Sequence, residues 1–491
     1  MTEPVPADAE PTPLGVHLDR LAAGHPDRSA VICEDDVLTF DALVRRANQL
    51  ARVMAARGVR HGDLVTIALP NRVEFYVAVV AAWKLGAVPQ PVSSKLPPAE
   101  LSAILEIANP ALVIGLEPAD RRPWLPSDLA IPEGTSDAPH PPAIPPAWKA
   151  PTSGGSTGRP KVVVSGTPGT AEDVLRSVPL LRMEEGERFL CTAPLSHGAP
   201  FMFSLIALLY GGTIVLMPRF DAEEMLRKID QHRITWLYLV PTMMVRVSRL
   251  PEPTRAKYDL SSVRIAFHVG APCPPEVKRA WIYWLGPERV LELYAGVEGQ
   301  AVTFLTGTEW LAKPGSVGRV WTGEVRVLDE EGQEVPADEI GEIWMRAVPG
   351  TVPYRYLGAK PRARGEWESL GDMGRIDADG YLFLADRRTD MILVGGANVY
   401  PAEIENALSE HPSVLSACVI GLPDDDFGQR VHAIVELSAP MTDEELHRHL
   451  AERLVPYKRP RSFERSTEPL RDDAGKVRRS ALRAARLGQP T

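Results

Sequence analysis

The positions of apolar residues along the chain predict alternating helices and strands. Apolar residues at three- and four-residue spacing predict an amphipathic helix that ends before Gly58. The segments predicted in this way near the start of the chain are a helix over 43–54, a strand over 64–69, a helix over 75–85 and a strand over 88–92. Such alternation is typical of an α/β layer structure.

The apolar pattern changes at two places, and these changes divide the chain. Residues 118–151 are rich in proline and show no period, so we predict a long surface connection between two subdomains. Around residue 390 a compact series of strands and helices begins and continues for about 100 residues, a normal domain size. We therefore predict a large multi-layer α/β N-terminal domain with subdomains over residues 14–388 and a small α+β C-terminal domain over residues 389–491, after a disordered tail at residues 1–13.

The composition is that of an ordinary globular protein with an acidic balance. The chain has 491 residues, of which 44% are hydrophobic and 24% charged, and its net charge is −10. This charge gives no support to the binding of nucleic acid or of an anionic membrane surface. No apolar run approaches the ~20 residues that a membrane-spanning helix needs. The acidic, proline-rich segment 1–13 also lacks the apolar core of a signal peptide.

The cysteines carry no sign of a metal or disulfide framework. Cys33, Cys191, Cys273 and Cys418 are far apart, and no two have the short spacing of a zinc ligand pair. This usage fits a reducing compartment, so we expect a cytoplasmic protein.

The segment 152–161 reads Thr-Ser-Gly-Gly-Ser-Thr-Gly-Arg-Pro-Lys and leads directly into three valines. Glycines let the backbone approach a ligand, successive backbone N–H groups bind anions, and the hydroxyls and two cations add donors and charge. It is not a Walker A loop, because Lys161 is followed by Val162 and not by a hydroxyl that could hold magnesium. A flexible linker is the alternative, but a linker needs neither Arg-Pro-Lys nor a strand after it. The segment therefore predicts a polyphosphate-binding loop.

Further motifs follow this loop in order. They are Ala193-Pro-Leu-Ser-His197-Gly, His268-Val-Gly270-Ala-Pro272, Tyr294-Ala-Gly-Val-Glu298-Gly, Gly371-Asp372, Asp386-Arg387-Arg-Thr-Asp390, Gly395-Gly396-Ala-Asn-Val-Tyr-Pro401-Ala-Glu403, Tyr457-Lys-Arg-Pro and Pro469-Leu-Arg-Asp-Asp-Ala-Gly-Lys476. In this order they closely resemble the adenylate-forming superfamily of acyl-CoA synthetases, nonribosomal-peptide adenylation domains and luciferases. The resemblance runs from about Leu38 to Arg479, so it covers nearly the whole chain.

The resemblance implies an enzyme that activates a carboxylic acid in two half-reactions. The carboxylate attacks the α-phosphate of ATP, which gives an acyl-adenylate and pyrophosphate, and a nucleophile then displaces AMP. Such a transfer needs positioning and charge neutralisation more than covalent help from the protein. The resemblance thus implies ATP and Mg²⁺ as cofactors, a small carboxylic acid as substrate, and CoA or an amine as acceptor.

The resemblance also assigns roles around ATP. Lys476 would bridge the carboxylate and the α-phosphate, and Glu298 would bind magnesium with Thr157 close to it. Asp372 would accept hydrogen bonds from both ribose hydroxyls, and Arg387 would lie near the ribose and the phosphate. The residues expected around the phosphates are Thr152, Ser153, Gly154, Gly155, Ser156, Thr157, Gly158 and Lys161, and those expected around the adenine are Gly270, Ala271, Pro272, Tyr294, Ala295 and Gly296.

The same resemblance makes the C-terminal domain a mobile lid. Rotation about a hinge near Thr389 would remove Lys476 and bring Gly395 and Gly396 toward the acyl-adenylate as part of an acceptor tunnel. His197 would be a gate of the acyl pocket, and a structural histidine is the alternative. The candidates for the pocket wall, which could equally be core residues, are Phe201, Met202, His268, Val269 and Val297.

Two positions depart from the superfamily's usual pattern. Val297 stands where a hydroxyl often contacts the α-phosphate, so the adenylate would need another donor or be held less tightly. Thr389 stands at a hinge position that is often Asp or Lys, which affects the rotation of the domains. Neither departure abolishes the predicted chemistry.

The acceptor and the acid remain open at this point. Gly395 and Gly396 favour a CoA ligase, whereas the loop at 152–161 also resembles stand-alone amide bond synthetases, which use a free amine. Loading of a carrier protein is a weaker option, and a non-catalytic nucleotide-binding protein would be expected to lack Lys476 or Glu298. The small residue Gly296 favours a bulky, ring-containing acid. The sequence predicts no oligomeric state.

Overall fold

The computed structural model describes residues 10–154, 160–387, 390–394, 397–424, 426–472 and 475–487. It is a mixed α/β structure with a large N-terminal and a small C-terminal domain, which confirms the predicted fold class. The predicted boundary at residues 388–389 lies outside the described residues and stays a prediction. Within the described ranges, no helix combines the length and apolar character that crossing a membrane requires.

The first half of the N-terminal domain alternates helices and strands. Its elements to residue 165 are α1 (Leu14–Gly24), β1 (Ser29–Cys33), β2 (Asp36–Thr39), α2 (Phe40–Ala56), β3 (Leu64–Ile67), α3 (Val73–Lys84), β4 (Val88–Pro91), α4 (Pro98–Ala108), β5 (Leu112–Gly115), β6 (Trp124–Pro126), β7 (Thr152–Gly154) and β8 (Pro160–Ser165). Those that follow are α5 (Ala171–Leu175), α6 (Val178–Leu181), β9 (Arg188–Cys191), α7 (Gly198–Leu209), β10 (Thr213–Leu216), α8 (Ala222–His232), β11 (Trp236–Leu239), α9 (Pro241–Ser248), α10 (Glu252–Arg255), β12 (Ile265–His268), α11 (Pro275–Leu285) and β13 (Val290–Tyr294).

The rest of the chain is richer in antiparallel strands. Up to the predicted domain boundary the elements are β14 (Val302–Thr306), α12 (Gly307–Ala312), β15 (Ser316–Thr322), β16 (Glu324–Leu328), β17 (Gly341–Arg346), β18 (Tyr354–Leu357), β19 (Arg362–Arg364), β20 (Trp367–Ser369), β21 (Asp372–Ile376) and β22 (Leu382–Arg387). The C-terminal elements are β23 (Ile392–Val394), β24 (Ala397–Val399), α13 (Pro401–Ser409), β25 (Val414–Asp424), β26 (Gly428–Leu437), α14 (Asp443–Ala451), a 3₁₀ turn (Pro456–Lys458), β27 (Ser462–Arg465) and α15 (Arg479–Arg486).

The four segments predicted near the start of the chain are confirmed as α2, β3, α3 and β4. The predicted surface connection over 118–151 is wrong in part. It contains β6, which pairs parallel with β5, and residues 147–151 are buried. A strand of three residues is too short to show a period, so the apolar pattern could not indicate it.

The largest sheet joins a parallel half to an antiparallel half. Fifteen strands of the described chain take part, in the order β19-β20-β17-β21-β22-β15-β14-β13-β12-β11-β9-β10-β1-β2, with β16 paired to β17. The pairs from β1 through β10, β9, β11 and β12 to β13 are parallel, and β14 begins the antiparallel part. The segments that follow the parallel strands therefore meet at one edge of the sheet.

An aromatic layer fixes α7 against the parallel strands. Trp236 lies stacked between Phe189 and Phe267 of the neighbouring strands, with ring centroids 4.9 and 5.4 Å away. Phe203 of α7 packs edge-on against Trp236 and Phe267, at 5.9 and 5.7 Å. Because α7 begins at residue 198, this packing sets the position of His197 and the residues after it.

A small antiparallel sheet carries the two ends of the predicted polyphosphate loop. Its order is β18-β8-β7. Val162 and Val164 of β8 join an apolar cluster with Ala150. Because side chains alternate along a strand, Lys161 and Val163 lie on the opposite face of β8. A separate four-stranded sheet, β4-β3-β5-β6, is parallel throughout.

The C-terminal domain has its own apolar core between α13, α14 and the β25–β26 hairpin, with Ile404, Leu408, Val419, Val435 and Leu446 among its buried residues. It contacts the N-terminal domain through polar groups. The guanidinium of Arg249, directly after α9, donates to the carbonyl oxygens of Val414 and, at 3.2 Å, of Leu415.

We predict that Gly318→Ala destabilises the protein by about 3 kcal/mol. Gly318 lies where the register of β15 against β22 shifts, and its φ is +97°. A Cβ there would lie 2.1 Å from the carbonyl oxygen of Phe304, so backbone strain and a backbone clash would add together. The midpoint of urea unfolding measures the loss.

Gly380→Ala is the matched control for this prediction. Its φ is +80°, and a Cβ would meet nothing within 4 Å, so only the strain of the left-handed conformation applies. We expect a cost of about 1 kcal/mol. Equal losses at Gly318 and Gly380 would contradict the proposed clash.

Candidate active site

Three of the predicted motifs follow strands of the parallel half of the large sheet. Residues 192–197 follow β9, residues 269–272 follow β12, and residues 295–298 follow β13. The direction of the strands reverses after β13, where β14 pairs antiparallel. The crevice at the carboxyl edge of such a sheet is where α/β folds bind ligands.

Glu298 is the carboxylate at the centre of this edge. It is only 5% exposed, and its Oε1 accepts hydrogen bonds from Lys161 Nζ at 3.0 Å and from the Tyr356 hydroxyl at 2.7 Å. Lys161 Nζ also donates to the Tyr356 hydroxyl at 2.8 Å and lies 4.1 Å from the centre of that ring. A closed triangle of polar side chains thus joins the large sheet to the β18-β8-β7 sheet.

The triangle keeps Glu298 ionised. Burial by itself raises the pKa of this carboxyl, but the charge of Lys161 and the hydrogen bond from Tyr356 outweigh burial and bring the pKa below its ordinary value. An ionised carboxylate beside a polyphosphate loop fits Mg²⁺, which takes one or two carboxylates and completes its shell with phosphate oxygens and water.

The predicted adenine wall and the predicted ribose acceptor are brought together by a hydrogen bond. The Tyr294 hydroxyl donates to Asp372 Oδ2 at 2.7 Å. Tyr294 ends β13 and Asp372 begins β21, and both side chains are half-buried at the same edge.

Glycine is required at two of the positions predicted around the adenine. A Cβ at residue 296 would lie 2.5 Å from Leu370 Cδ1 and 2.6 Å from Glu298 Oε2. Gly270 has φ +90°, which favours glycine. Close packing around Glu298 and a tight turn after β12 explain these glycines without reference to a ligand.

The residues predicted for the acyl pocket differ in their surroundings. His197 is the N-cap residue of α7 and is half-buried, as are Met202 and Val297. Val297 reaches the start of α7, because a Cβ on Gly198 would lie 2.8 Å from its Cγ2. Phe201 is fully buried and packs edge-on against another core aromatic ring, so it is positioned as a core residue.

His268 faces away from α7. Phe267 packs against α7, and side chains alternate along a strand, so His268 lies on the other face of β12. It is fully buried, with Nδ1 3.9 Å from Oε1 of Glu292, which pairs with Lys278. Burial holds the pKa of His268 well below its ordinary value, so the ring is neutral. By the same alternation, Val269 lies on the α7 side.

The segment that carries Lys476 lies against the N-terminal domain. Gly475 is buried, and a Cβ on it would lie 2.9 Å from Thr242 Oγ1 and 3.4 Å from Val240 Cγ2. Val240 directly follows β11, at the same sheet edge as the other motifs. The backbone N–H of Lys476 donates to Asp472 Oδ1 at 2.9 Å.

Several predicted residues are not tested by this geometry. Those outside the described residues are Gly155, Ser156, Thr157, Gly158, Thr389, Gly395 and Gly396. For Ser153, Gly154 and Arg387, the description covers only the backbone, in β7 and β22. The roles given to all of them stay predictions.

Sequence reasoning missed Tyr356 and Lys149. Tyr356 pairs with Val163 across β18 and β8, which brings its ring beside Lys161. Lys149 is 6% exposed, and burial lowers its pKa to about 8 although the charge of Glu298 acts against this. A signal was available for Lys149 only, because a lysine directly before Ala150 and after a tryptophan interrupts an apolar run.

The chain belongs to the AMP-binding enzyme family. The pattern of the AMP-binding enzyme matches residues 18–352, and that of the AMP-binding enzyme C-terminal domain matches residues 403–472. This membership confirms the resemblance to the adenylate-forming superfamily.

Similar proteins match the chain along nearly its whole length. A 2-succinylbenzoate–CoA ligase of Bacillus licheniformis is 32% identical over 93% of this chain and 97% of its own. A feruloyl-CoA synthase of an Amycolatopsis species is also 32% identical, over 96% of this chain and 98% of its own. The solved structure of the amide bond synthetase McbA from Marinactinospora thermotolerans is 25% identical, with a TM-score of 0.75 over 96% of this chain and 99% of its own.

We predict that Lys161→Met lowers the melting temperature most at neutral to alkaline pH. In the wild type, the lowered pKa of Glu298 means that its ionised form stabilises the fold above the ordinary value of 4.5, and this stabilisation is lost as the pH falls. Without the ammonium, burial prevails and raises the pKa of Glu298, so the variant carries an uncompensated charge until that group is protonated. Calorimetry should show that the difference in melting temperature between the variant and the wild type becomes smaller from pH 8 toward pH 4.5.

The control is the double variant Lys161→Met with Glu298→Gln. The double variant lacks the titrating carboxyl group. Its difference in melting temperature from the wild type should therefore stay the same as the pH falls, unlike that of the single variant. A single variant whose deficit is the same at every pH would contradict the pairing of Lys161 with an ionised Glu298.

Proposed function

We propose that this protein is an ATP-dependent carboxylic acid ligase that transfers its acyl group to CoA. The observation that carries the proposal is that an ionised Glu298, the cation Lys161 and the Tyr294–Asp372 pair lie at one sheet edge. Gly475, which precedes Lys476, packs against Thr242 and Val240 at the same edge. The family membership and the CoA ligases among the similar proteins support it.

In the first half-reaction, an oxygen of the acid attacks the α-phosphorus of ATP. A bond forms between that oxygen and phosphorus, the bond from the α-phosphorus to the bridging oxygen breaks, and pyrophosphate leaves. Lys476 would lie between the acid and the α-phosphate and neutralise charge that builds up there. Lys161 would hold the departing pyrophosphate, and Asp372 would fix the ribose through its hydroxyls.

Glu298 is the residue that would hold Mg²⁺, with Thr157 as a second ligand. The metal would neutralise the polyphosphate and orient it for departure. Lys161 would then exchange its contact with Glu298 for one with phosphate, since both anions compete for the same ammonium.

In the second half-reaction, the thiol sulfur of CoA attacks the acyl carbon and AMP leaves with the electrons of the broken carbon–oxygen bond. The thiol proton is lost to solvent. The amide alternative differs only in the nucleophile, a free amine. Two observations favour keeping it: the sequence of the 152–161 loop and the likeness to the solved amide bond synthetase.

We propose a ring-containing acid as the substrate. The names of the two CoA ligases above both give aromatic acids. The half-buried Met202 and Val297, together with Val269 on the same side of β12, would supply apolar walls for a ring.

Mass spectrometry of products from ATP, Mg²⁺, a panel of aryl and aliphatic acids, CoA and a simple amine tests the function. We expect pyrophosphate, AMP and an aryl-CoA thioester. Formation of an amide without CoA would show that the acceptor is a free amine and not CoA. Lys476→Ala is the control and should abolish pyrophosphate release while ATP still binds. Pyrophosphate release by no acid in the panel would overturn the proposal.

Arg249→Ala should slow the first half-reaction and leave the second unchanged. Arg249 donates to the backbone of β25, so it holds the C-terminal domain where Gly475 meets Thr242. We expect pyrophosphate release to slow by roughly tenfold or more, because both hydrogen bonds of the Arg249 guanidinium to the C-terminal domain are lost. Transfer from a supplied acyl-adenylate to CoA should keep its rate.

Arg246→Ala is the matched control for Arg249. Arg246 is exposed in the last turn of α9, three residues before Arg249, and no hydrogen bond joins it to the described residues of β25. It should leave both half-reactions at the wild-type rate. Equal slowing of both half-reactions by Arg249→Ala would indicate general damage to the fold and would contradict a role in domain orientation.

A further inference from the structure

Lys149 is a buried cation with which no carboxylate of the described residues forms an ion pair. It is 6% exposed, and within the described ranges no acidic side chain lies within ion-pair distance of its ammonium. The contact found for the ammonium is the ring of the adjacent Trp148, with the centroid 5.3 Å away. Lysines are almost never buried unless they are paired, because the charge loses its hydration. The buried charge of Lys149 therefore lowers the stability of the folded protein when no ligand is bound.

The position of Lys149 relates it to the predicted polyphosphate loop. It lies three residues before Thr152, where β7 and the loop begin, and its carbonyl oxygen accepts from the N–H of Ser165 at the far end of β8 at 3.0 Å. The next residue, Ala150, joins the apolar cluster on one side of β8. Lys149 thus belongs to the other side, which carries Lys161.

Glu298 acts on Lys149 without neutralising it. The charge of Glu298 is felt at the ammonium of Lys149. However, Oε1 of Glu298 already accepts from Lys161 and from Tyr356. Among the described residues, Lys149 is thus a second lysine near Glu298, whose Oε1 already has Lys161 as its cationic partner.

We propose that Lys149 is a second cation of the polyphosphate site, which contacts the pyrophosphate end of bound ATP from the side of β8 that carries Lys161. The proposal rests on the proposed function in one respect only, that the anion held at residues 152–161 is a polyphosphate. The bound polyphosphate would be the partner of the Lys149 ammonium, which pairs with no carboxylate of the described residues.

The test is Lys149→Met, which keeps the length and apolar stem of the side chain and removes the charge. In titration calorimetry with Mg-ATP, and separately with inorganic pyrophosphate, we expect dissociation constants roughly ten- to a hundredfold higher than in the wild type, as for a lost hydrogen bond to a charged group. The melting temperature without ligand should stay equal or rise, because a buried unpaired charge is gone. Loss of affinity with no loss of stability separates a ligand contact from a structural role.

Lys84→Met is the matched control. Lys84 is also buried, but it is paired with Asp19 in α1, away from the loop. This variant should lose stability and bind Mg-ATP as the wild type does, the reverse of Lys149→Met. Lys149→Gln serves as a second variant if the first does not fold, with the same expected loss of affinity, and Lys149→Arg should retain most of it.

Binding of Mg-ATP and pyrophosphate by Lys149→Met within twofold of the wild type would overturn the proposal. The proposed function fails differently, by the absence of pyrophosphate release from any acid in a wild type that still binds ATP. Since the test of Lys149 measures binding alone, the two failures are distinguishable.

Discussion

The need to keep the buried carboxylate of Glu298 ionised is the constraint on which the site depends. Burying a charge costs several kcal/mol unless a partner is held in good geometry. The partners here are Lys161 and Tyr356, which come from β8 and β18 of a different sheet. The small β18-β8-β7 sheet must therefore lie against the carboxyl edge of the large sheet. The order of the strands brings β18 back to β8 from nearly two hundred residues away.

The same constraint makes the site ready for a ligand before any ligand is present. The side chains of Leu370 and Glu298 pack closely over Gly296, and the Tyr294–Asp372 hydrogen bond fixes the neighbouring part of the edge. Groups that are already ordered lose little conformational freedom on binding. In the proposed function, binding would change the partner of each charged side chain. Phosphate would pair with Lys161, and Mg²⁺ would pair with Glu298. Electrostatic exchange within a fixed frame suits a reaction that needs charge neutralisation more than covalent help.

The contact between the two domains is built differently from the site. A cavity of about 530 Å³ lies between them, lined by residues of both domains, among them Trp310, Tyr400 and Tyr457. A domain core is packed without such spaces, whereas interfaces that rearrange are looser and more polar. The direct contacts of Arg249 are with backbone carbonyls of β25. An interface of this kind stabilises one orientation of the C-terminal domain and still permits another. This agrees with the predicted rotation of that domain between the half-reactions.

The sequence by itself determined the fold class, the first helices and strands, and the order of motifs that places the chain in its family. Periodicity is a local property, so α2 and α3 could be predicted from nearby residues alone, whereas the role of the loop at 152–161 stays a prediction. Tertiary structure decided which of the predicted residues meet. It placed His268 on the face of β12 away from α7 and Phe201 in the core, because alternation along a strand and helix packing depend on neighbours distant in sequence. It also introduced Tyr356 and Lys149 beside Glu298. Tyr356 carries no signal in the sequence, because its role depends on Glu298 and Lys161, which are distant in sequence.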